Sequence, residues 1–253
     1  MDIHFIPAFT DNYIYAVTAG TAGTACWIID PGAAEPVLDW IQQYRCPPTA
    51  ILCTHHHTDH IGGVAALAAQ FKIPVYGANT RIPSLTHPLQ EGKYAIDGVP
   101  VTIMELPGHT RDHLAYLVDQ QLFCGDTLFA AGCGRLFEGT PAQMLHSLDR
   151  LAALPDATQV YCAHEYTLSN LRFARHLEPD HPILRDRQRR AERQRLAGRP
   201  TLPSTIGLER TSNPFLRVRE PSLIAAVQAH DVSVPNDPLS IFTALRSWKD
   251  QFQ

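Results

Sequence analysis

Residues 54–60 of this 253-residue chain read Thr-His-His-His-Thr-Asp-His and directly follow the apolar run 50–53. Four histidines and an aspartate within seven positions exceed what a structural core requires, so the segment predicts a metal site. Imidazole and carboxylate donors without a cysteine favour zinc or a related borderline metal over a closed thiolate site. We expect the ligands at the mouth of a β-sheet, on a loop held by rigid elements.

The strand that precedes this motif predicts the side to which each of its histidines points. Side chains alternate in direction as the chain leaves a strand, so His55 and His57 are expected on one side and His56 on the other. His55, His57, Asp59 and His60 are therefore candidate ligands, whereas His56 is not. Four local ligands exceed the need of one open catalytic zinc, which brings remote ligands and a second metal into consideration.

Three further polar residues stand at or just after the ends of apolar strand-like runs, as His55 does. They are His109 in PGHT, Asp126 in LFCGD and His164 in VYCAH. For each of them alone, a surface or structural position is an equally good interpretation. Together they are candidates for the remote ligands.

Strand-like and helix-like runs alternate over roughly the first 165 residues, which favours two sheets covered by helices. The predicted strands are 12–17, 24–30, 50–54, 73–78, 101–106, 113–119, 122–126 and 158–164, and the predicted helices are 35–44, 62–71 and 140–154. Residues 30–32, Asp-Pro-Gly, are interpreted as a turn. After about residue 170 strand signals end, and the amphipathic segment 237–252 closes a predicted small helical domain.

The amino-acid composition of the chain limits the classes of protein to which it can belong. Hydrophobic residues make up 45% of the chain and charged residues 18%, which is typical of globular proteins. Six scattered cysteines without a CxxC pair favour reduced thiols, and the sequence shows neither a signal-peptide pattern nor 18 consecutive apolar residues. We therefore expect a cytoplasmic protein without a membrane span.

The segment 185–198 carries six arginines and only two acidic residues. A solvated helix face is the favoured interpretation, and a surface that binds anions or a partner is the alternative. A nucleic-acid-binding protein is disfavoured because the net charge is -4 and no aromatic residues interleave with the arginines.

The motifs THHHTDHIGG, PGHT, GDTLF, AGCGRLFEGT, HEYT, NPFLR and RSWKDQF, in this order, resemble the glyoxalase II (hydroxyacylglutathione hydrolase) family of the metallo-β-lactamase superfamily. The resemblance covers essentially the whole chain. It implies an α/β fold, an αββα sandwich over residues 1–170, followed by a small all-α domain over 171–253 that helps to bind glutathione.

The resemblance also assigns two divalent metal ions, with zinc favoured and iron or manganese also compatible. Their ligands would be His55, His57 and His109 for the first ion, Asp59, His60 and His164 for the second, and Asp126 bridging both. Asp59 and Asp126 would also be catalytic. Among the other histidines, His113 is the one most favoured to support a ligand.

The activity implied is hydrolysis of S-(2-hydroxyacyl)glutathione thioesters, such as S-lactoylglutathione to lactate and glutathione in the second step of methylglyoxal detoxification. A metal-bound hydroxide would attack the thioester carbonyl. The leaving thiolate, with a pKa near ~8.5 by analogy with cysteine, requires no strong general acid.

Glutathione carries two carboxylates, so its site requires cations and hydrogen-bond donors. The resemblance assigns this role to Cys133, Gly134, Arg135, Tyr166, Arg246 and Lys249. Arg135 stands where many relatives have lysine, and Phe137 where some have tyrosine. The alternative for Arg246 and Lys249 is that of ordinary cations in the last turns of a helix. The expected partner is the small-molecule thioester, with no nucleic acid, no membrane and a monomeric chain.

Two related enzymes are alternatives. A glutathione-persulfide dioxygenase would share the sandwich, use one iron and lack the C-terminal helical domain. A β-lactamase is disfavoured because Asp126 stands where the most familiar of these enzymes have a cysteine.

Overall fold

The computed structural model describes residues 1–18 and 25–252, and the chain divides into two units. The first unit consists of Met1–Glu105 and Asp112–Gly125. The second consists of Leu106–Arg111 and the chain from Asp126 onward. Because each unit takes two separate segments, the division differs from the predicted one at residue 170. The domain boundary at 170/171 stays a prediction.

In the described part of the first unit, six strands form one mixed sheet in chain order. They are β1 (Asp2–Ala8), β2 (Asn12–Thr18), β3 (Cys26–Ile29), β4 (Pro48–Leu52), β5 (Val75–Gly77) and β6 (His87–Pro88). The pairs β1–β2 and β2–β3 are antiparallel, whereas β3–β4, β4–β5 and β5–β6 are parallel. A parallel pair requires a crossover, which α1 (Glu35–Tyr44) supplies between β3 and β4.

The crossover between β4 and β5 carries the histidine motif, the short helix α2 (Thr58–Ile61) and α3 (Val64–Phe71). A second, antiparallel sheet of the first unit contains β7 (Gly92–Ile96), β8 (Val99–Glu105), β9 (Leu114–Val118) and β10 (Gln121–Gly125), each paired with the next. The motif thus leaves the carboxyl end of a parallel strand, where ligand sites of α/β sheets are commonly found.

Apolar packing joins these elements in layers. Helices α1 and α3 bury Val37 and Leu67 in one cluster with Ile28 and Ile51 of the mixed sheet. Between the two sheets, the Tyr15 and Phe123 rings lie 5.6 Å apart. Polar groups at this boundary are paired as well: the Tyr116 hydroxyl donates to the Cys53 carbonyl oxygen over 2.7 Å. The first unit is therefore a helix–sheet–sheet stack.

The second unit is mainly helical in its described residues. Its elements are β11 (Leu128–Phe129), β12 (Gly132–Cys133), α4 (Pro141–Ala152), β13 (Gln159–Cys162), α5 (Thr167–Leu177), α6 (Pro182–Leu196), β14 (Ser204–Thr205), α7 (Ile206–Ser212), α8 (Pro221–His230) and α9 (Pro238–Gln251). The strands pair antiparallel as β11–β12 and β13–β14. Helix α4 begins with a capping box in which Thr140 and Gln143 satisfy each other's backbone N–H groups.

Most predicted elements coincide with observed ones, and the exceptions have physical causes. The predicted helix 35–44 matches α1, and the predicted strand 24–30 contains β3, although residue 24 lies outside the described residues. The expected end of strand signals after residue 170 was wrong for β14, whose two residues are too few to produce a pattern. The strand β1 was missed because its side chains are mostly exposed or half-buried, so no strict alternation marks it.

The solvated-face interpretation of segment 185–198 was wrong for Arg187. This arginine is buried and forms an ion pair with the fully buried Glu209 of α7. Its guanidinium also donates to the hydroxyl oxygens of Ser212 and Ser204, over 2.6 and 3.1 Å. The neighbouring Arg189 is exposed, as expected. These hydrogen bonds offset the cost of removing the two charges from water.

Among the residues that the structure describes, no helix combines the length and the apolarity that crossing a membrane requires.

The buried pair predicts a strong contrast between two arginines of α6. Arg187→Gln leaves the Glu209 carboxylate buried without its cation, so the free energy of unfolding should fall by about 3–5 kcal/mol. Arg189→Gln removes an exposed charge and should change it by less than about 0.5 kcal/mol. Urea denaturation of both variants measures the difference. Equal, small effects would show that the pair contributes no more than a surface contact.

Candidate metal centre and substrate pocket

The first unit gathers the motif histidines at the end of β4. The ring centroids of His55 and His57 lie 4.7 Å apart, and those of His55 and His60 lie 4.1 Å apart. His55 and His60 are buried, whereas His57 is half-buried. Three imidazoles, all predicted as ligands, therefore share one small region.

A buried carboxylate fixes the orientation of two of these rings. Asp30 accepts hydrogen bonds from the backbone N–H and the hydroxyl of Thr54, each over 2.7 Å, and lies 3.1 Å from Nδ1 of His60. Because the carboxylate accepts, His60 carries its proton on Nδ1 and leaves the Nε2 lone pair for a metal. The Thr54 hydroxyl, 3.0 Å from Nδ1 of His55, gives that ring the same tautomer.

Asp59 is held by a residue that the sequence did not suggest. The Asn12 side-chain amide donates to Oδ2 of Asp59 over 3.0 Å, and the same oxygen lies 3.5 Å from Nε2 of His60. The backbone approaches so closely here that a Cβ on Gly32 would lie 1.9 Å from the Asp59 carbonyl oxygen. Glycine at position 32 is therefore a condition for this loop conformation.

The other two histidines of this region have different contacts. Nδ1 of His56 lies 3.5 Å from the Asp112 carboxylate, which also pairs with Arg81 over 3.0 Å. His113 stacks on the His55 ring, with the centroids 4.8 Å apart and the planes 23° apart. These contacts provide an ionic partner for His56 and place His113 against a predicted ligand.

The second unit holds His109, Asp126 and His164, all buried. Oδ2 of Asp126 lies 3.4 Å from Nε2 of His109, and its Oδ1 lies 3.3 Å from Nε2 of His164. Nδ1 of His109 donates to the Arg135 carbonyl oxygen over 2.9 Å, which again leaves the Nε2 lone pair available to the predicted metal. One carboxylate thus directs its two oxygens to two different imidazoles.

The donor set fits divalent ions of the zinc class. Each unit presents imidazole Nε2 atoms and a carboxylate, which are ligands that zinc, iron and manganese accept. Thiolate ligands are disfavoured nearby, since burial raises the pKa of Cys133 to about 11 and that of Cys162 to about 12.

A cavity of about 440 Å³ lies within the second unit. Its lining combines two predicted metal ligands, three cationic side chains and several aromatic rings. The lining residues are His109, Asp126, Phe129, Cys133, Arg135, Phe137, Tyr166, Ser169, Asn170, Arg246, Lys249 and Phe252. Five of the six predicted substrate-binding residues are among them.

The sixth, Gly134, is not a lining residue, and steric contacts explain why position 134 carries a glycine. A Cβ at position 134 would lie 2.0 Å from the Asp126 carbonyl oxygen and 3.2 Å from Nδ1 of His109. Any side chain there would displace two predicted metal ligands.

The three cationic side chains that line the cavity differ in burial and in their hydrogen-bond partners. Arg246 is buried, donates to the Cys133 carbonyl oxygen over 2.8 Å and lies over the Phe215 ring at 5.0 Å. Lys249 donates to the Ser169 hydroxyl oxygen over 3.3 Å. Arg135 is mostly exposed. Burial and the neighbouring guanidinium groups of Arg246, Arg172 and Arg135 lower the pKa of Lys249, as expected where cations are crowded together.

Two aromatic residues that line the cavity also contact predicted ligand histidines. The Tyr166 ring stacks on His164, with the centroids 4.7 Å apart and the planes 4° apart. The Phe137 ring meets His109 edge-on at 5.2 Å and is 64% exposed. Phe137 therefore presents an apolar ring, without a hydroxyl, at the cavity.

Two family profiles cover almost the whole chain. The metallo-β-lactamase superfamily matches residues 9–102 and 83–164, and the hydroxyacylglutathione hydrolase C-terminus matches residues 165–252. These matches confirm the predicted sandwich fold with its helical C-terminal domain.

Curated relatives agree with these profiles. The hydroxyacylglutathione hydrolase of Nitrosomonas eutropha is 50% identical over 100% of both chains. That of Vibrio cholerae, strain O395, is 49% identical, also over 100% of both.

Solved structures show the same fold at lower identity. A B3 metallo-β-lactamase is 26% identical with a TM-score of 0.64 and covers 85% of this chain and 99% of its own. A protein solved in a di-iron-bound form is 27% identical with a TM-score of 0.62 and covers 85% of this chain and 100% of its own. Identity over the full length with the curated relatives is far higher. The chain belongs to the hydroxyacylglutathione hydrolase family of the metallo-β-lactamase superfamily.

Proposed function

We propose that this protein hydrolyses S-(2-hydroxyacyl)glutathione thioesters, S-lactoylglutathione among them, to a 2-hydroxy acid and glutathione. The supporting observation is the composition of one cavity. It is lined by His109 and Asp126 of the predicted ligand set and also by Arg135, Arg246 and Lys249. A thioester of glutathione requires a reactive centre for its carbonyl and cations for its carboxylates, and this cavity offers residues for both.

The proposed metal centre would hold two divalent ions, with zinc favoured. Its ligands would be His55, His57, Asp59, His60, His109, Asp126 and His164. The two differently directed oxygens of Asp126 support a bridging role, and the Nδ1 hydrogen bonds of His55, His60 and His109 support ligation through Nε2. When bound, such ions lower the pKa of water towards neutrality and polarise a carbonyl oxygen.

The protein's own groups would orient the reactants. Asn12 holds one oxygen of Asp59, so the carboxylate keeps a fixed direction from which it can orient the attacking water. Asp30 holds the His60 ring in the same way. The leaving group is a thiolate, which is stable enough to depart without a strong acid.

The cationic part of the cavity would bind the glutathione carboxylates. Lys249 and Arg135 offer donors towards the cavity, whereas Arg246 already uses one nitrogen on the Cys133 carbonyl oxygen. Arg246 thus both lines the site and fixes α9 to β12. Tyr166 and Cys133 would complete the lining of the proposed glutathione site, with Gly134 beside it.

Other features of this proposal stay predictions. They are the domain boundary at 170/171, a monomeric chain and a cytoplasmic location.

Purified protein should release a free thiol from S-lactoylglutathione and contain close to two metal ions per chain. Asp126→Ala should lose both metal and turnover, because its carboxylate faces two imidazoles. A thiol reagent follows the reaction and elemental analysis counts the ions. One tightly held iron per active chain would overturn the binuclear hydrolase.

Neighbouring histidines of the motif should differ in their effect on metal binding. His57→Ala should lose metal and most activity, whereas His56→Ala should keep both, because His56 contacts Asp112 instead. Metal content after dialysis against a weak chelator measures the contrast. Comparable metal loss in both variants would refute the assignment of His57 and not His56 as a ligand.

Lys249→Ala should raise KM for the glutathione thioester about 10- to 100-fold and change kcat much less. A charge-assisted hydrogen bond contributes roughly 1.5–3 kcal/mol, and the carboxylates of glutathione change little during the reaction. Steady-state kinetics measure both constants, with the exposed Arg189→Ala as the control. Arg246→Ala should also raise KM but with a loss of stability, since Arg246 anchors α9.

The substrate supplies the second control for Lys249. KM for a thioester that lacks the glycine carboxylate of glutathione should be nearly unchanged by Lys249→Ala. An unchanged KM for the complete substrate would leave Lys249 as an ordinary helix-end cation.

A further inference from the structure

The carboxylate of Asp250 contacts two arginines that line the cavity, although Asp250 itself does not line it. Oδ1 of Asp250 lies 3.2 Å from Nε of Arg135 and 3.0 Å from Nη2 of Arg246. Its backbone carbonyl oxygen also accepts from Arg135, over 3.4 Å. Both arginines line the cavity and Asp250 does not. One oxygen atom therefore bridges two of the three cations that face the proposed glutathione site.

The position of Asp250 is unfavourable for the helix that carries it. It lies in the last turn of α9 (Pro238–Gln251), where the helix macrodipole disfavours a negative charge. The two guanidinium groups offset this cost. The charge of Asp250 also reaches beyond its direct partners: it partly opposes the lowering of the Lys249 pKa by burial and cations. All three cations are thus influenced by this carboxylate.

We propose that Asp250 is an internal counter-ion that weakens the hold of Arg135, Arg246 and Lys249 on the carboxylates of glutathione. The inference rests on the proposed function. A bound carboxylate and Asp250 would share the same guanidinium donors, and the two negative charges would repel each other. Asp250 therefore limits the affinity for any glutathione-bearing molecule, the thiol product included. Tight binding of that product would slow its release, so a weaker hold favours turnover.

Asparagine separates charge from geometry at this position. Asp250→Asn keeps an Oδ1 acceptor for both arginines and removes only the negative charge. Because the site is partly exposed, screening limits the effect, and we expect glutathione to bind about 3- to 10-fold more tightly. KM for the thioester should fall by a similar factor. Asp250→Ser, which also keeps an oxygen acceptor, should shift the affinity in the same direction.

A second ion pair of the same unit provides a matched control. Asp149 pairs with Arg219 through two contacts of 2.8 and 2.7 Å, and its side chain is 42% exposed against 37% for Asp250. Neither member of this pair lines the cavity. Asp149→Asn removes the same charge from the same unit and should leave the glutathione affinity unchanged.

Titration calorimetry with glutathione, at 0.05 and 0.5 M NaCl, tests the proposal on the metal-loaded full chain. The expected result is tighter binding for Asp250→Asn and Asp250→Ser at low salt, a smaller difference at high salt, and no change for Asp149→Asn. Unchanged or weaker binding in both Asp250 variants overturns the counter-ion role, as does an equal gain in Asp149→Asn.

Measurements on the wild-type protein distinguish a failure of the proposed function from a failure of the proposed role of Asp250. Wild type that neither binds glutathione nor hydrolyses its thioester overturns the proposed function and this inference together. Wild type that hydrolyses the thioester, with Asp250 variants of unaltered affinity, overturns only the role of Asp250.

Discussion

The buried carboxylate of Asp30 organises the histidine motif. It accepts two hydrogen bonds from Thr54 and one from His60, and it lies at the end of β3, beside the strand that carries the motif. An unpaired carboxylate at this depth would cost several kcal/mol, and these hydrogen bonds offset that cost. Through them the sheet determines the direction in which the imidazoles present Nε2. The proposed chemistry of the motif therefore depends on a residue that is outside both the predicted metal-ligand set and the predicted substrate-binding set.

The motif could be recognised in the sequence because four of the proposed ligands lie within seven residues. Strand alternation predicts that His56 points away from His55 and His57, and the assignment of the ligands stays a prediction. The remote candidates His109, Asp126 and His164 could be found as polar residues at strand ends, and the family resemblance then combined them. The bounds of helix α1 were predicted correctly because the spacing of its apolar residues is a local signal within a few residues.

Supporting contacts could not be predicted in the same way. Asn12 reaches Asp59 across 47 positions, and Asp30 reaches His60 across 30. No pattern within either segment marks such a contact, and Asp30 was interpreted only as part of a turn. The burial of Arg187 could not be predicted for the same reason. An arginine in a charged segment is normally solvated, and Arg187 is buried because it forms an ion pair with Glu209, which is distant in sequence. Long-range pairing and burial are properties of the fold as a whole.

The chain passes between the two units three times, because the second unit takes Leu106–Arg111 from between β8 and β9 before the chain returns through Asp112–Gly125. The hexapeptide that carries His109 is thus encoded inside the first unit's stretch of the gene. No single uninterrupted reading frame can encode the second unit whole without also encoding β9 and β10. Duplication or fusion of the second unit as one continuous gene segment would therefore carry β9 and β10 of the first unit with it.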